Sequence, residues 1–438
     1  MSIQSLLMPT LSQYLLGRGR LLKRRARAER DRLAGGERHQ LHYFHQVDDP
    51  YSALVAAMLP DFMARYDVDL MPHVVGPPPD SAAPDRDKLV AYSRRDAQML
   101  ARHLGLNFED PGQQPSASAV RRVTGLLVAS VSAQRFSTWV GPLSAALWQG
   151  DEALGKLVAS DPALQPAASD LVAVHLLASA RLRQQWGHYL GGMFFYAGEW
   201  YWGLDRLHHL EQRLRGLGAQ RSGSKALMFP PHADLAEAVA VRNPTPIDFF
   251  FSLRSPYSAI VAQRVFRLGQ LTGAEVRLRF VLPMVMRGLP VPREKRLYIV
   301  LDAAREAYGR HIPFGRVNDP VGRPTERGLA LIPYAERLGK GQAYVLSFLH
   351  GVWAEGIHAG SDRGLRKIVQ RAGLPWDDAR RALKDEAWRA TAEQNRAQMS
   401  ALGLWGVPSF RVNDTAVWGQ DRLWAVEQAI LAEHPPCA

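Results

Sequence analysis

FSLRSPYSAI at 251–260 and HQVDDPYSAL at 45–54 share Pro-Tyr-Ser-Ala behind an aromatic run, but the residue ahead of the proline is Ser255 in one and Asp49 in the other. The match extends outward at a constant offset of 206, from Tyr43-Phe44 and Phe249-Phe250 through Tyr92 and Tyr298 to Asp96-Ala97 and Asp302-Ala303. Further on, YWGLDRLHHLEQRL (201–214) echoes VWGQDRLWAVEQAI (417–430) at an offset of 216, so a net ten residues are inserted between the anchors. Self-similarity at this spacing indicates one structural unit used twice.

Each unit reads the same way. A short aromatic strand (41–47; 247–253) leads to a proline at a helix start, then a helix, then a second apolar strand, VDLMPHVV or EVRLRFVL. A long middle follows with helical periodicity, as in AYVLSFLHGVWAEG. Two short strands about a tight turn, MFFYAGEWYWG or PSFRVNDTAVWG, precede a last helix. The expected topology is β-α-β, a block of helices, then β-β-α. The expected divisions are a leader at 1–38, a first unit at 39–215, a linker at 216–245 rich in Gly, Ser, Pro and Ala, and a second unit at 246–434.

With 438 residues, 47% of them hydrophobic and 22% charged, the composition is that of a globular chain of two or three domains, and no apolar tract is long enough to cross a membrane. Half of the net charge of +12 lies in residues 1–38, which hold nine Arg/Lys against three Asp/Glu. There the apolar residues Ile3, Leu7, Leu11, Tyr14 and Leu15 come before RGRLLKRRARAER, the reverse of an export signal, so a cytoplasmic location is expected. Two readings stay open for this leader. It is a basic amphipathic segment lying on an anionic membrane surface or nucleic acid, or it is a solvated or self-docked arm in which Pro9, Gly17 and Gly19 interrupt any helix. No specific nucleic-acid recognition is expected. The one cysteine, Cys437, cannot form a disulfide, a CxxC pair or a cysteine-based zinc site within one chain. His39, His42 and His45 alternate faces on a strand, and no metal site is expected.

Strand, SPYS, helix, an all-helical insertion and GVPSFRVNDTAVWGQDRL together resemble the 2-hydroxychromene-2-carboxylate isomerases and kappa-class glutathione transferases, a glutathione-using branch of the DsbA-like thioredoxin fold. The resemblance covers most of 246–434, and 40–215 resembles the same fold more distantly. It implies an α/β protein of two tandem thioredoxin-like (DsbA-type) domains, each with an all-helical insertion between its βαβ and ββα halves. It implies glutathione as cofactor, with Ser255 holding the thiolate, Val407 presenting its backbone to the tripeptide and Pro408 cis. WGQDR maps Gln420 and Asp421 onto the γ-glutamyl end. Lys295 in EKRLY matches a further cofactor-binding position, and Asn395, eleven residues ahead of the GVP glycine, a catalytic one. One departure is the short PMVMRGLPVPREK where the family carries a longer Gly/Asn-rich stretch.

The residues support part of this without the family. Ser-Pro between a strand and a helix places Ser255 at the N-cap, where free backbone N–H groups and the helix dipole favour an anion. A hydroxyl there can hydrogen-bond a thiolate brought by a ligand. Asp49 would cap equally well but would repel a thiolate, so capping accounts for both copies and anion binding only for the serine. Unit one also has Gly191-Gly192 where unit two has Val407-Pro408. The expected activity is cis–trans isomerisation of a conjugated carbonyl compound by reversible thiol addition, with Asn395 or Lys295 as the polar donor to the reacting oxygen. The alternatives are a kappa-type transferase and a non-catalytic binding or scaffold protein. Dithiol–disulfide exchange is excluded because Ser255 and Ser258 stand where thiols would be needed. The substrate is an electrophilic small molecule, and stretches such as YVLSFLHGVW fit either a hydrophobic substrate or ordinary helix packing. Unit one is expected to stand in for a second subunit, making the monomer a pseudo-dimer.

Overall fold

The computed structural model describes residues 3–221, 223 and 226–433, so Cys437 lies outside the described residues. The chain divides into two compact units, residues 24–231 in one and residues 1–23 with 232–438 in the other.

In the first unit, β1 (Gln40–Gln46), α3 (Pro50–Arg65) and β2 (Asp69–Val75) form the opening, preceded by α1 (Ile3–Leu16) and α2 (Arg18–Ala34) in the chain. Helices α4 (Arg86–Leu104), α5 (Ala117–Ser132), α6 (Phe136–Gln149), α7 (Asp151–Ser160) and α8 (Ser169–Gln185) come next, then β3 (Met193–Tyr196), β4 (Glu199–Trp202) and α9 (Leu207–Gly216). The sheet order is β2-β1-β3-β4, with β1 parallel to β2 and antiparallel to β3. The turn between β3 and β4 consists of Ala197 and Gly198, both at positive φ (44° and 84°), the mirror-image turn that matches strand twist.

The second unit repeats the order. It runs β5 (Ile247–Phe251), α10 (Pro256–Thr272), β6 (Val276–Phe280), then α11 (Arg293–Gly309), α12 (Arg323–Ala330), α13 (Ile332–Arg337), α14 (Gly341–Trp353), α15 (Asp362–Arg371), α16 (Trp376–Ala382) and α17 (Trp388–Ala401). It closes with β7 (Ser409–Val412), β8 (Thr415–Trp418) and α18 (Leu423–Glu433). The sheet order is β6-β5-β7-β8, with Phe250 opposite Arg279 on one side and Ser409 on the other. Phe249, Phe250 and Phe251 are all buried, so helices cover both faces of the central strand.

The two units share more than strand order. Tyr51 donates its hydroxyl proton to Asp96 Oδ2 at 2.7 Å, and Tyr257 donates to Asp302 Oδ2 at 2.7 Å. This pair ties the first turn of the helix after the central strand to the first helix of the insertion in each unit.

The leader differs from the expectation. Pro9 lies inside α1 and Gly19 inside α2, and only Gly17 separates the two helices. Pro9 is tolerated because α1 is held from outside: Ser12 Oγ accepts from Val317 N at 2.8 Å and donates to Pro9 O at 3.0 Å, and Tyr308 donates to Leu16 O. The later part of α2 is equally integrated, with Arg25 making two 2.7 Å bonds to the Glu199 carboxylate. Residues 1–38 are therefore divided between the units, as is the stretch 216–245, whose residues up to Pro231 group with the first.

Candidate functional site

The site in the second unit starts from one local rule. A strand running into Ser-Pro must turn, and the serine oxygen takes the first free N–H of the helix: Ser258 N donates to Ser255 Oγ at 3.1 Å, with Pro256 at the first helical position. The Ser255 hydroxyl in turn donates to Val407 O at 3.3 Å. Both residues are half-buried, and the Val407–Pro408 peptide is cis. Pro408 O accepts from Gly419 N at 2.8 Å, which fixes the loop to the end of β8. Next to Ser255, Arg254 makes a bidentate pair with Asp319 at 2.7 and 2.8 Å.

Lys295, near the start of α11, is 9% exposed, and its Nζ lies 5.3 Å from the centre of the Trp405 ring. Burial pulls its pKa down to about 8. Trp405 is itself buried, stands 5.1 Å from the Trp418 ring, and its indole N–H has no hydrogen-bond partner among the described residues. Lys295 and Ser255 therefore address the same loop, 405–408, from two different elements. The stretch 283–295 that departs from the family pattern holds a 3₁₀ turn, Met284–Arg287, ending at Gly288 with φ 75°, and enters α11 at Arg293.

Asn395 is buried in α17, and its Nδ2 donates to Phe280 O at 3.0 Å, at the carboxyl end of β6. That end is stitched to β5 through Val281 N to Phe251 O at 2.9 Å. Asn395 thus belongs to the same end of the sheet as Ser255, and among the described residues no hydrogen bond joins the two.

Gln420 is fully engaged within the protein. Its Oε1 accepts from Arg264 at 3.0 Å, and its Nε2 donates to Glu306 at 3.1 Å and to the Asp421 carboxylate. An amide has two N–H donors, and both are spent here. Gln420 orients Asp421 beside α10, two turns beyond Ser255, rather than presenting its own amide.

In the first unit the corresponding place is built differently. Asp49 Oδ2 accepts from Ser52 N at 2.9 Å and Ser52 Oγ at 2.7 Å, and burial pushes its carboxyl up to about 6. A side chain at Gly191 would collide with Gln46, and one at Gly192 would lie 3.3 Å from Asp49 Oδ2. The glycines close the backbone onto the cap, leaving a carboxylate where the second unit offers a hydroxyl.

Several residues that shape the site were not singled out from sequence. Trp405 carries no spacing signal, and the Arg264–Gln420–Glu306 chain links residues far apart in sequence. Tyr257–Asp302 did leave a signal, since both residues recur at the 206 offset.

Residues 246–431 match the family model of the DSBA-like thioredoxin domain, so the C-terminal half of the chain carries a DsbA-like thioredoxin domain. The chain is 24% identical over 193 residues to 2-hydroxychromene-2-carboxylate isomerase of Sphingobium xenophagum, a match covering 42% of this chain and 97% of the relative. It is 29% identical over 199 residues to 2-hydroxychromene-2-carboxylate isomerase of Pseudomonas putida, covering 42% and 93%. A solved structure of 2-hydroxychromene-2-carboxylate isomerase is similar at a TM-score of 0.37 and 24% identity, over 43% of this chain and 95% of that one. No helix of the described residues is long and apolar enough to cross a membrane.

Proposed function

We propose that the second unit is a glutathione-dependent isomerase of a conjugated carbonyl compound, like the isomerases to which it is related at low identity. The observation that carries this reading is the Ser255 hydroxyl, capped onto α10 and 3.3 Å from the Val407 carbonyl.

The residues present fit glutathione. The half-buried loop at Val407 offers a backbone carbonyl whose present donor is a rotatable hydroxyl, so a ligand N–H can replace it there. The buried N–H of Trp405 is left for an acceptor oxygen. Asp421, oriented by Gln420, supplies a carboxylate suited to an ammonium group. When bound, glutathione would supply a thiolate able to add reversibly to an electrophilic double bond and so permit rotation about it.

The chain's own groups do the rest. Released from Val407, the Ser255 proton can turn to an anion at the N-terminus of α10, where the helix dipole adds to its effect. Lys295, pulled to about 8, can hold or release a proton near neutral pH, and its buried charge favours an anionic substrate group. The second N–H of Asn395 can steady developing charge on a carbonyl oxygen. Dithiol–disulfide exchange is not proposed, because Ser255 and Ser258 occupy the cap.

The first unit, on this reading, is a degenerate tandem copy of the same fold that stands in for a partner subunit. The matching sheet order and the repeated Tyr–Asp bond support a duplication. The function is tested by following 2-hydroxychromene-2-carboxylate with the full chain, with and without glutathione. Interconversion only with glutathione supports an isomerase. A stable thioether product points to the kappa-type transferase, and no reaction with either contradicts the enzyme reading.

A further inference from the structure

Helix α1 presents two apolar faces. The narrow one, Pro9, Ser12 and Leu16, is buried against its own unit. It is held there by Ser12 to Val317 and by Tyr308 to Leu16 O. The broad one, Leu7, Met8, Leu11, Tyr14 and Leu15, is 43–65% exposed. At 3.6 residues per turn these five side chains fill one arc of about 120°. Because the opposite face is tied down by hydrogen bonds, α1 cannot roll to hide them.

Along the leader itself the charge has one sign as far as Glu29. No Asp or Glu occurs before Glu29, while Arg18, Arg20 and Lys23 follow α1 directly. Arg18 and Lys23 are exposed, and the Arg20 guanidinium stands 4.6 Å over the Tyr14 ring, so a cation sits at the edge of the apolar arc itself. Leucines, a tyrosine and arginines in this arrangement are the composition of a helix that lies in a membrane interface, with its apolar face below the headgroups and its cations among them. The 14 residues of α1 span about 21 Å, too short to cross the hydrocarbon core of about 30 Å. A second copy of the chain is a poor occupant, since it would bring two cationic segments of the same sign together.

We propose that α1 and the basic residues that follow it form a docking surface for an anionic phospholipid bilayer, the five apolar side chains inserting at the interface and Arg18, Arg20 and Lys23 meeting lipid phosphates. This is independent of the activity proposed for the Ser255 site.

The test is flotation of the full chain with vesicles of phosphatidylcholine alone and of phosphatidylcholine with phosphatidylserine. Partition onto the anionic vesicles is expected to exceed that onto neutral ones at least about tenfold and to weaken as salt rises from about 0.1 to 0.5 M. Leu11→Asp with Leu15→Asp should abolish it, and Arg18→Glu with Lys23→Glu should reduce it about tenfold or more. Thr10→Asp with Gln13→Asp makes the same charge change as Leu11→Asp with Leu15→Asp, but on the polar arc, and should cost no more than about threefold, with all variants keeping the wild-type circular dichroism. Equal binding to neutral vesicles or no vesicle binding overturns the proposal. So does a dimer in light scattering that Leu11→Asp with Leu15→Asp dissociates, which would assign the face to a second copy.

Discussion

The Ser255 hydroxyl and the Val407 carbonyl face each other across 3.3 Å, one at the cap of α10 and the other at the start of the loop that enters β7. The same hydroxyl accepts from Ser258 N, so it serves folding and the site at once. These two roles can be separated. Ser255→Asp keeps an N-cap acceptor but sets a carboxylate against the Val407 carbonyl, and Ser255→Ala loses the cap, so each should cost about 1–2 kcal/mol. Both should lose the thermal stabilisation that glutathione gives the wild type, measured as melting temperature against ligand concentration. Glutathione protection that survives in Ser255→Asp would leave the serine with capping alone.

Asp49 provides the reverse case. Its carboxyl titrates at about 6 when folded against an ordinary 3.8, so the folded state binds the proton more tightly and stability falls as pH rises from 3.8 through 6. Asp49→Ser keeps the cap and removes this cost. It should stabilise by about 1–2 kcal/mol at pH 7 and by little below pH 4, as read from denaturant midpoints across pH.

Lys295 has a folded pKa of about 8 against an ordinary 10.5, so between these values the unfolded state holds more protons and stability rises with pH. Lys295→Met should flatten that rise and raise stability at pH 7. If Lys295 also acts on substrate, the same variant loses turnover while keeping glutathione protection. Loss of both together would place the lysine in the glutathione site instead.

The repeated bonds Tyr51–Asp96 and Tyr257–Asp302 each join a helix start to the insertion. Tyr51→Phe and Tyr257→Phe should each destabilise by about 1–3 kcal/mol, because a buried carboxylate loses a charge-assisted partner. Tyr257→Phe should in addition weaken glutathione protection, since it loosens the first turn that carries Ser255; Tyr51→Phe should not.

The fold was legible where local chemistry decides it. Aromatic runs with Pro-Tyr-Ser behind them gave β1, α3, β5 and α10, and the stretches MFFYAGEWYWG and PSFRVNDTAVWG gave the two hairpins, because strands, caps and tight turns depend on neighbours in sequence. Helix α1 was not legible: Pro9 and Gly17 read as interruptions, and what holds the helix is a contact from Ser12 to Val317, 305 residues away. At the site, Ser255 and Asp49 could be told apart from sequence because the exchange changes the charge at a cap. That Gln420 turns inward could not, since Glu306 and Arg264 meet it only through packing of α10, α11 and the turn after β8.

On the proposed function, Ser255 stabilises the thiolate of bound glutathione. The most direct measurement is the ultraviolet absorbance of that thiolate followed across pH, at saturating glutathione, in the wild type and in Ser255→Ala. The expected midpoint lies at least about one pH unit below that of free glutathione in the wild type and returns towards the free value in Ser255→Ala. A midpoint unchanged by the substitution, or no saturable binding at millimolar glutathione, would contradict it.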